Sequence, residues 1–316
     1  MPFDPERYTH ESDRAALKAL QAIPGFSLLT KGFMSLWNEP QGRILNMSTR
    51  IRLGEDQMKK YHDMLPPVCE KLGIAVPDLY VEMNVVPNAY TYGDTEPFIV
   101  LTSGLFEAFP DELIPTVLAH ECGHIACRHT LYHTMGRIVL GGAAGAMSYY
   151  LKFGSLLTAP LQIAFYYWMR CSEFSADRAA VLCDGNARKM QEVCMRFAGW
   201  GKGIAADASV DAFLKQAGNY REMISGSAWN KTLEFLVLKD QTHPLTAVRA
   251  AECGEWAASE EFRRILEGAP DPEPASAEPA TGAEDPENEL KWYRKMADEG
   301  LITREQYEQK KKELLG

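Results

Sequence analysis

The chain has 316 residues, 46% of them hydrophobic, so it is long enough and apolar enough to bury a substantial core. Its formal net charge is −10, and a chain this acidic lacks the lysine and arginine surplus that binding to a phosphate backbone requires. We therefore expect a globular protein with no nucleic-acid partner. The seven cysteines contain no CxxC pair, which favours a reducing compartment and predicts a cytoplasmic location.

The first third of the chain alternates polar helical segments with turns and leads into a small sheet. Two runs rich in β-branched and aromatic residues, DLYVEMNVV (78–86) and PFIVLTSG (97–104), are typical of strands, and the segment between them is predicted to be a connection. Beyond it the pattern becomes helical, with Pro115 tolerated near a helix start, and helices continue to about Gly268. The predicted fold is α+β and mostly helical, with a small β-sheet beside the first of these later helices.

A nearly uncharged run covers residues 138–169, IVLGGAAGAMSYYLKFGSLLTAPLQIAFYYWM, in which Lys152 is the only charged side chain. Lys152 divides the run into two pieces, each shorter than the ~20 residues that a membrane-spanning helix needs. The run therefore favours a pair of buried helices, the second extending from about Pro160 past Asp177. Membrane insertion is the alternative, and it makes 138–169 the candidate membrane contact of the chain.

The composition changes abruptly at residue 269. Residues 269–289, APDPEPASAEPATGAEDPENE, carry too few large apolar side chains to form a core, so they predict a linker. In 290–316, Gly300 suits a helix end and Thr303 suits the next helix start, which predicts a helical hairpin that associates with itself or with the body of the protein. The predicted domains are residues 1–268, with a core at about 60–255, then 269–289 and 290–316.

The segment AHECGHIACRH (119–129) contains the pattern HExxH. His120 and His124 are four residues apart, so on a helix they lie within roughly 40° of each other and can bind one metal ion. Glu121 follows the first histidine directly, where it can reach a metal-bound water without binding the metal, as the general base of a zinc protease does. We therefore predict a hydrolase with one Zn²⁺ ion.

A catalytic zinc needs a third protein ligand and an open coordination position. His129 and His133 follow His124 by five and nine residues, so on a continuing helix they would point to roughly the opposite side and are not expected to be ligands. No Asp or Glu lies between His124 and Glu173, which makes Glu173 the expected third ligand. Asp177 is one helical turn further on and could orient a ligand imidazole. The alternative is an exposed helical turn in which these acids pair with a neighbouring arginine.

HECGH followed by EFSAD resembles the zinc metallopeptidases of family forty-eight, which include the heat-shock protease HtpX and the CAAX prenyl protease and have the pattern HExxH then ExxxD. The stretches PNAYTYG (87–93), IVLTSGLFEAF (99–109) and THPLTAVR (242–249) also resemble segments of that family. The similarity spans roughly residues 10–265. This chain departs from the integral membrane members, because only 138–169 resembles their long apolar helices. The tail is similar to the short C-terminal domain called SHOCT.

The resemblance implies a gluzincin-type site. In such a site His120, His124 and Glu173 would bind the zinc. Glu121 would act first as base and later as acid, and Asp177 would lie behind the ligands.

The resemblance also implies roles for residues far from the HExxH helix. His243 would donate a hydrogen bond to the oxyanion and Arg249 would support that part of the site, although a His-Pro step is also an ordinary turn. Asn88 and Ala89 would lie on the rim or edge strand that pairs with the backbone of a peptide or unfolded-protein substrate.

These observations predict a zinc-dependent metalloendopeptidase that hydrolyses peptide bonds with a zinc-activated water. The alternative, from a different class, is a catalytically silent, zinc-stabilised scaffold or adaptor that acts through the C-terminal hairpin. Glu121 discriminates between the two, because a structural zinc site needs ligands but no base.

A chain truncated after Gly268 should keep its metal and its cleavage of an unstructured peptide, because the predicted hairpin contributes no residue to the site. Its oligomeric state should fall, since 290–316 has too little apolar area for an independent core and gains stability by pairing. Light scattering measures the mass, and mass spectrometry measures the metal content. Loss of the metal would show that the tail is part of the catalytic domain, and an unchanged mass would contradict self-association through it.

Overall fold

The computed structural model is mostly helical, with one four-stranded sheet in the part of the chain that it describes, and it confirms the predicted α+β class. The predicted linker lies outside the described residues, and so does the predicted hairpin apart from isolated helical positions. The described residues are 2–23, 39–140, 159–204, 207–238 and 245–269, with isolated positions in 26–33 and 294–312.

Several element boundaries follow from local chemistry. Ser209 and Ser259 each begin a helix by accepting a hydrogen bond from the backbone N–H three residues further on. Gly73 ends a helix with φ +67°, a left-handed conformation that glycine adopts at no steric cost. The helices are α1 (Pro5–Tyr8), α2 (Glu11–Ala22), α3 (Glu39–Thr49), α4 (Lys59–His62), α5 (Leu65–Leu72), α6 (Ser103–Ala108), α7 (Ile114–Ala126), α8 (Thr130–Leu140), α9 (Ala159–Asp184), α10 (Arg188–Phe197), α11 (Val210–Ser225), α12 (Ala228–Leu238), α13 (Thr246–Ala257) and α14 (Glu260–Leu266). The strands are β1 (Ile51–Arg52), β2 (Asp78–Glu82), β3 (Ala89–Tyr92) and β4 (Phe98–Thr102).

The sheet has the strand order β1-β2-β4-β3. β2 and β4 are parallel, while β1 and β3 run antiparallel to their neighbours β2 and β4. The two predicted strands are confirmed as β2 and β4. The segment between them is more than the expected connection, because it contains the edge strand β3. Four residues flanked by turn formers are too few for their alternation to distinguish a strand from a loop.

The HExxH helix α7 packs closely along α9. The contact depends on Gly123, where an added Cβ would lie 2.7 Å from the Ala179 Cβ and 3.0 Å from the Ala176 Cα. Such small side chains let two helix backbones approach until their polar side chains can share one site. The acids of α9 are thereby brought opposite the histidines of α7.

Two apolar clusters surround this pair of helices. The larger joins the inner face of the sheet to α7, α10 and α13. The second joins α2, α8 and the first half of α9, where Trp168 is fully buried. Along α9, residues up to Cys171 belong to the second cluster and residues from Ala179 onward to the first. Glu173 therefore lies where the two clusters meet.

The apolar run at 138–169 is only partly described. Its second piece confirms the predicted helix, since α9 extends from Ala159 to Asp184 and is buried at Leu161, Phe165 and Trp168. Residues 141–158 lie outside the described part of the chain. None of the described helices is long and apolar enough to span a bilayer.

Gly123→Ala should destabilise the protein by about 1–3 kcal/mol, the usual cost of overpacking, because the added methyl group would overlap Ala179. Gly218→Ala is the matched control. Gly218 is an exposed glycine of α11 with no neighbouring element within 4 Å of an added Cβ, so its replacement should stabilise the protein by about 0.5–1 kcal/mol. Urea unfolding in the presence of a chelator measures both changes. Full stability of Gly123→Ala would contradict the close contact between α7 and α9.

Candidate metal centre

Two histidines of α7 and one glutamate of α9 converge in the interior of the protein. The Nε2 atoms of His120 and His124 lie 3.3 Å apart. Glu173 Oε1 lies 3.3 Å from His124 Nε2, and its Oε2 lies 3.6 Å from His120 Nε2. A tetrahedral zinc with bonds of about 2.0–2.1 Å holds its ligand atoms roughly 3.4 Å apart. The two nitrogens therefore have the spacing of one edge of such a tetrahedron, and the Glu173 carboxylate places one oxygen at a similar distance from each of them. Two imidazole nitrogens with one carboxylate oxygen are a donor set that suits a catalytic zinc.

Asp177 and Arg249 form a buried ion pair behind these three residues. Asp177 Oδ1 lies 2.9 Å from Nδ1 of His120, a candidate ligand. Arg249 donates from Nε to Asp177 Oδ2 at 2.7 Å and from Nη2 to Oδ1 at 2.6 Å, and its Nη1 lies 2.9 Å from Glu173 Oε2. One guanidinium thus serves both acids of the ExxxD pattern.

The electrostatics of the metal-free site follow from these contacts. Burial alone would lower the pKa of His120, but the hydrogen bonds and charges of Asp177 and Glu173 outweigh it and raise the pKa to about 10. Burial lowers the pKa of His124 to about 4, despite the opposing attraction of Glu173. Burial alone would raise the pKa of Asp177, but Arg249 lowers it below its usual range. The site therefore holds its positive charge on His120 and Arg249 and keeps His124 neutral.

Glu121 follows His120 in the chain and is buried, and a side chain of the sheet holds its carboxylate in place. Thr91 of β3 donates from Oγ1 to Glu121 Oε2 at 2.7 Å. Sequence reasoning missed Thr91, because a threonine in a short strand carries no motif of its own. The signal that points towards it is its place within the stretch PNAYTYG.

The predicted substrate-binding residues lie at the start of the edge strand. Ala89 is the first residue of β3, and Asn88 precedes it. The Asn88 backbone is fixed by three hydrogen bonds with Thr102. Asn88 N donates to Thr102 Oγ1 at 2.8 Å, and Thr102 N and Oγ1 donate to Asn88 O at 3.0 and 3.1 Å. His243 lies outside the described residues.

His129 and His133 lie against His124, so the expectation that they point to the opposite side of its helix is wrong. α7 ends two residues after His124, Arg128 has φ +59°, and α8 begins at Thr130. This reversal brings His129 Nδ1 to 3.0 Å from His124 Nδ1 and the ring centre of His133 to 4.7 Å from that of His124. The prediction assumed one continuous helix. Residues other than glycine seldom adopt the left-handed conformation, so an arginine at position 128 does not indicate a reversal of the chain. That neither histidine binds the metal stays a prediction.

The profile of Peptidase family M48 matches residues 56–257, which include the HExxH and ExxxD segments. The chain belongs to this family. It is accordingly a metallopeptidase, a metal-dependent hydrolase that acts on peptides or proteins. The predicted resemblance to family forty-eight is confirmed, while the SHOCT-like character of the tail stays a prediction.

Individual relatives agree with this assignment. The chain is 32% identical over 269 residues to the chloroplastic plastoglobule-localized metallopeptidase 48 of Arabidopsis thaliana, an alignment that covers 84% of this chain and 77% of that protein. It is 26% identical to a protease HtpX homolog of Trichormus variabilis, over 59% of this chain and 73% of the relative. It is 22% identical to a protease HtpX homolog of Ralstonia pickettii, over 74% of this chain and 86% of the relative. No solved structure gives a significant match.

Arg249→Met should destabilise the metal-free protein by about 3–5 kcal/mol, because it leaves Glu173 and Asp177 buried without their shared cation. Arg221→Met is the matched control. Arg221 also pairs with two carboxylates, Glu252 and Glu255, but it lies at the surface, so its loss should cost under about 1 kcal/mol. Chemical denaturation in the presence of a chelator measures both. Equal losses would contradict the role of Arg249 as the counter-ion of the site.

Proposed function

We propose that the protein is a zinc-dependent endopeptidase whose zinc ligands are His120, His124 and Glu173. The observation that carries this proposal is the convergence of these three side chains within a chain of a metallopeptidase family. The two Nε2 atoms lie 3.3 Å apart, and a Glu173 carboxylate oxygen lies within 3.6 Å of each of them. When bound, the single zinc ion supplies a Lewis acid that polarises the scissile carbonyl and makes water nucleophilic near neutral pH.

Glu121 is the proposed general base. It accepts the proton of the attacking water and passes it to the nitrogen of the leaving amine, so one carboxylate serves both halves of the hydrolysis. The bond from Thr91 supports this role, because it fixes the carboxylate of the residue that directly follows His120, and Glu121 is not one of the three proposed ligands.

Asp177 and Arg249 are proposed to maintain the ligands. A carboxylate at His120 Nδ1 fixes the tautomer that presents Nε2 to the metal. Arg249 lowers the pKa of Asp177 and offers the same guanidinium to Glu173, so neither buried carboxylate is left without a cation.

The substrate is proposed to bind as an added strand. A peptide backbone would pair along β3, near Asn88 and Ala89. Its carbonyl would then lie close to Glu121, because Thr91 of the same strand binds the Glu121 carboxylate. His243 is proposed as the hydrogen-bond donor to the oxyanion, a role that acyl transfer requires in addition to the metal.

The remaining organisation is proposed on the sequence pattern. Residues 1–268 would form the peptidase domain, 269–289 a linker and 290–316 a hairpin for self-association. We propose a cytoplasmic enzyme that can associate with a membrane through 138–169. The name of the Arabidopsis relative places that protein at plastoglobules.

Glu121→Gln should keep one zinc per chain but lose at least about 10²-fold in cleavage of an unstructured peptide, because general acid–base catalysis contributes about 10²–10⁴-fold. Glu173→Ala is the matched variant and should lose the zinc together with the activity. Mass spectrometry measures the metal, and chromatography of the peptide products measures the cleavage.

Full activity of Glu121→Gln would contradict the proposed mechanism. No cleavage by the zinc-loaded native protein would favour the scaffold alternative. Full zinc occupancy in Glu173→Ala would show that another residue is the third ligand, and His129 and His133 would be the first candidates.

A further inference from the structure

Asp13 is a buried carboxylate of α2 that accepts hydrogen bonds from three separate side chains. Its Oδ2 lies 2.9 Å from His129 Nε2 and accepts from Ser175 Oγ at 2.6 Å, and its Oδ1 accepts from Trp168 Nε1 at 2.9 Å. Burial alone would raise the pKa of this carboxyl, but His129, Ser175 and Trp168 together lower it below its usual range. A carboxylate on the exposed face of a helix would be hydrated by water and would need no such partners. The burial of Asp13 among three donors therefore indicates a specific role.

His129 connects this carboxylate to the candidate metal centre. It is 2% exposed, and its two ring nitrogens face different partners, Nε2 towards Asp13 and Nδ1 towards His124 Nδ1 at 3.0 Å. An ionised carboxylate only accepts hydrogen bonds, so the proton of a neutral His129 lies on Nε2 and its Nδ1 is an acceptor. A histidine that binds a metal through Nε2 carries its own proton on Nδ1.

The hydrogen-bond directions are therefore consistent along the row formed by His124, His129 and Asp13. His124 donates from Nδ1 to His129 Nδ1, His129 donates from Nε2 to Asp13, and the lone pair of His124 Nε2 is directed to the metal. Both imidazoles are then neutral, with the proton of His124 on Nδ1 and the proton of His129 on Nε2. The reverse assignment puts the proton of a neutral His129 on Nδ1 and leaves no hydrogen between its Nε2 and the Asp13 carboxylate. It would also turn His124 Nε2 into a donor that cannot bind a metal.

We propose that His129 and Asp13 are positioning residues that fix the tautomer and ring orientation of His124; this inference rests on the proposed zinc site. His120 has a carboxylate partner in direct contact, Asp177, whereas His124 reaches its carboxylate through a second imidazole. Neither His129 nor Asp13 contacts the metal or the substrate. Both act on the reaction only through His124.

Asp13 lies N-terminal to the part of the chain that carries the family motifs. Asp13 precedes residues 56–257, the part that matches the family profile, so α2 adds an outer support to a site built by the rest of the domain. Trp168 encloses the row from one side, with its ring edge-on to His129 at a centroid distance of 5.8 Å. The docking of α2 and the binding of metal are therefore coupled through one carboxylate.

The test uses the full-length protein and zinc alone, with affinity measured by competition against a chromogenic chelator. His129→Leu should weaken zinc binding roughly 10- to 100-fold, the loss that follows removal of the hydrogen-bond partner of a metal ligand. His129→Asn should recover most of that loss, because its amide oxygen lies near the position of the missing Nδ1 and can accept from His124. Asp13→Asn should weaken binding by roughly tenfold, since the amide NH₂ must face one of three donors.

Cobalt substitution separates positioning from a merely structural role. In the Co²⁺-loaded protein, the visible ligand-field bands should change in His129→Leu and return towards the native shape in His129→Asn. If His129 only filled space in the core, both variants would lower the melting temperature of the metal-free chain while leaving zinc affinity and the cobalt bands unchanged. That outcome would overturn the inference.

His124→Ala distinguishes failure of this inference from failure of the proposed site. Retention of zinc by His124→Ala would show that the ligand assignment itself is wrong. Loss of zinc by His124→Ala together with native affinity in Asp13→Asn and His129→Leu would leave the site standing and reject the positioning role. If His129→Leu does not fold, Asp13→Asn decides by the same two measurements, since it changes neither the size of the side chain nor the rings.

Discussion

The close contact between α7 and α9 is the constraint on which the rest of the site depends. α7 supplies two imidazoles and a carboxylate on one face, and α9 supplies two carboxylates one turn apart. Neither helix alone has a complete set of donors for a metal. The glycine at position 123 and the alanines opposite it let the backbones approach far enough for the two half-sites to meet. A larger residue there would act on metal binding by moving α9 and its acids away from the histidines of α7.

The burial of so many ionisable groups makes electrostatic compensation the second constraint. Glu173 and Asp177 are each 1% exposed, and a buried carboxylate persists as an anion only where a cation or several donors offset its lost hydration. Arg249 comes from α13, so the burial of the acids depends on the docking of this third helix. The site is thus assembled from three helices whose packing and charge balance are required together, and a sheet strand adds the support of Glu121.

Sequence reasoning was strongest where the relevant distance is set within one helix. The pairing of His120 with His124, and of Glu173 with Asp177, follows from helical periodicity alone, and the order of these segments led to the correct family. It failed where the chain changes direction. The reversal at Arg128 moved His129 beside His124, and the residue pattern alone did not predict β3, for which only the family resemblance suggested an edge strand. Asp13 and Thr91 lie far along the chain from the residues that they support, and only the folded structure shows which distant polar side chains come together.

In the proposed mechanism, the bond between Thr91 and Glu121 would link substrate binding to catalysis. Thr91 belongs to the four-residue edge strand β3, and the same strand is where an extended substrate would add to the sheet. Every backbone pair that a substrate formed along β3 would restrict the motion of the strand that holds the proposed base. Substrate residues remote from the cleaved bond would then contribute to the rate of the chemical step as well as to binding, so that a longer peptide would turn over faster at saturation than a short one with the same cleavage site.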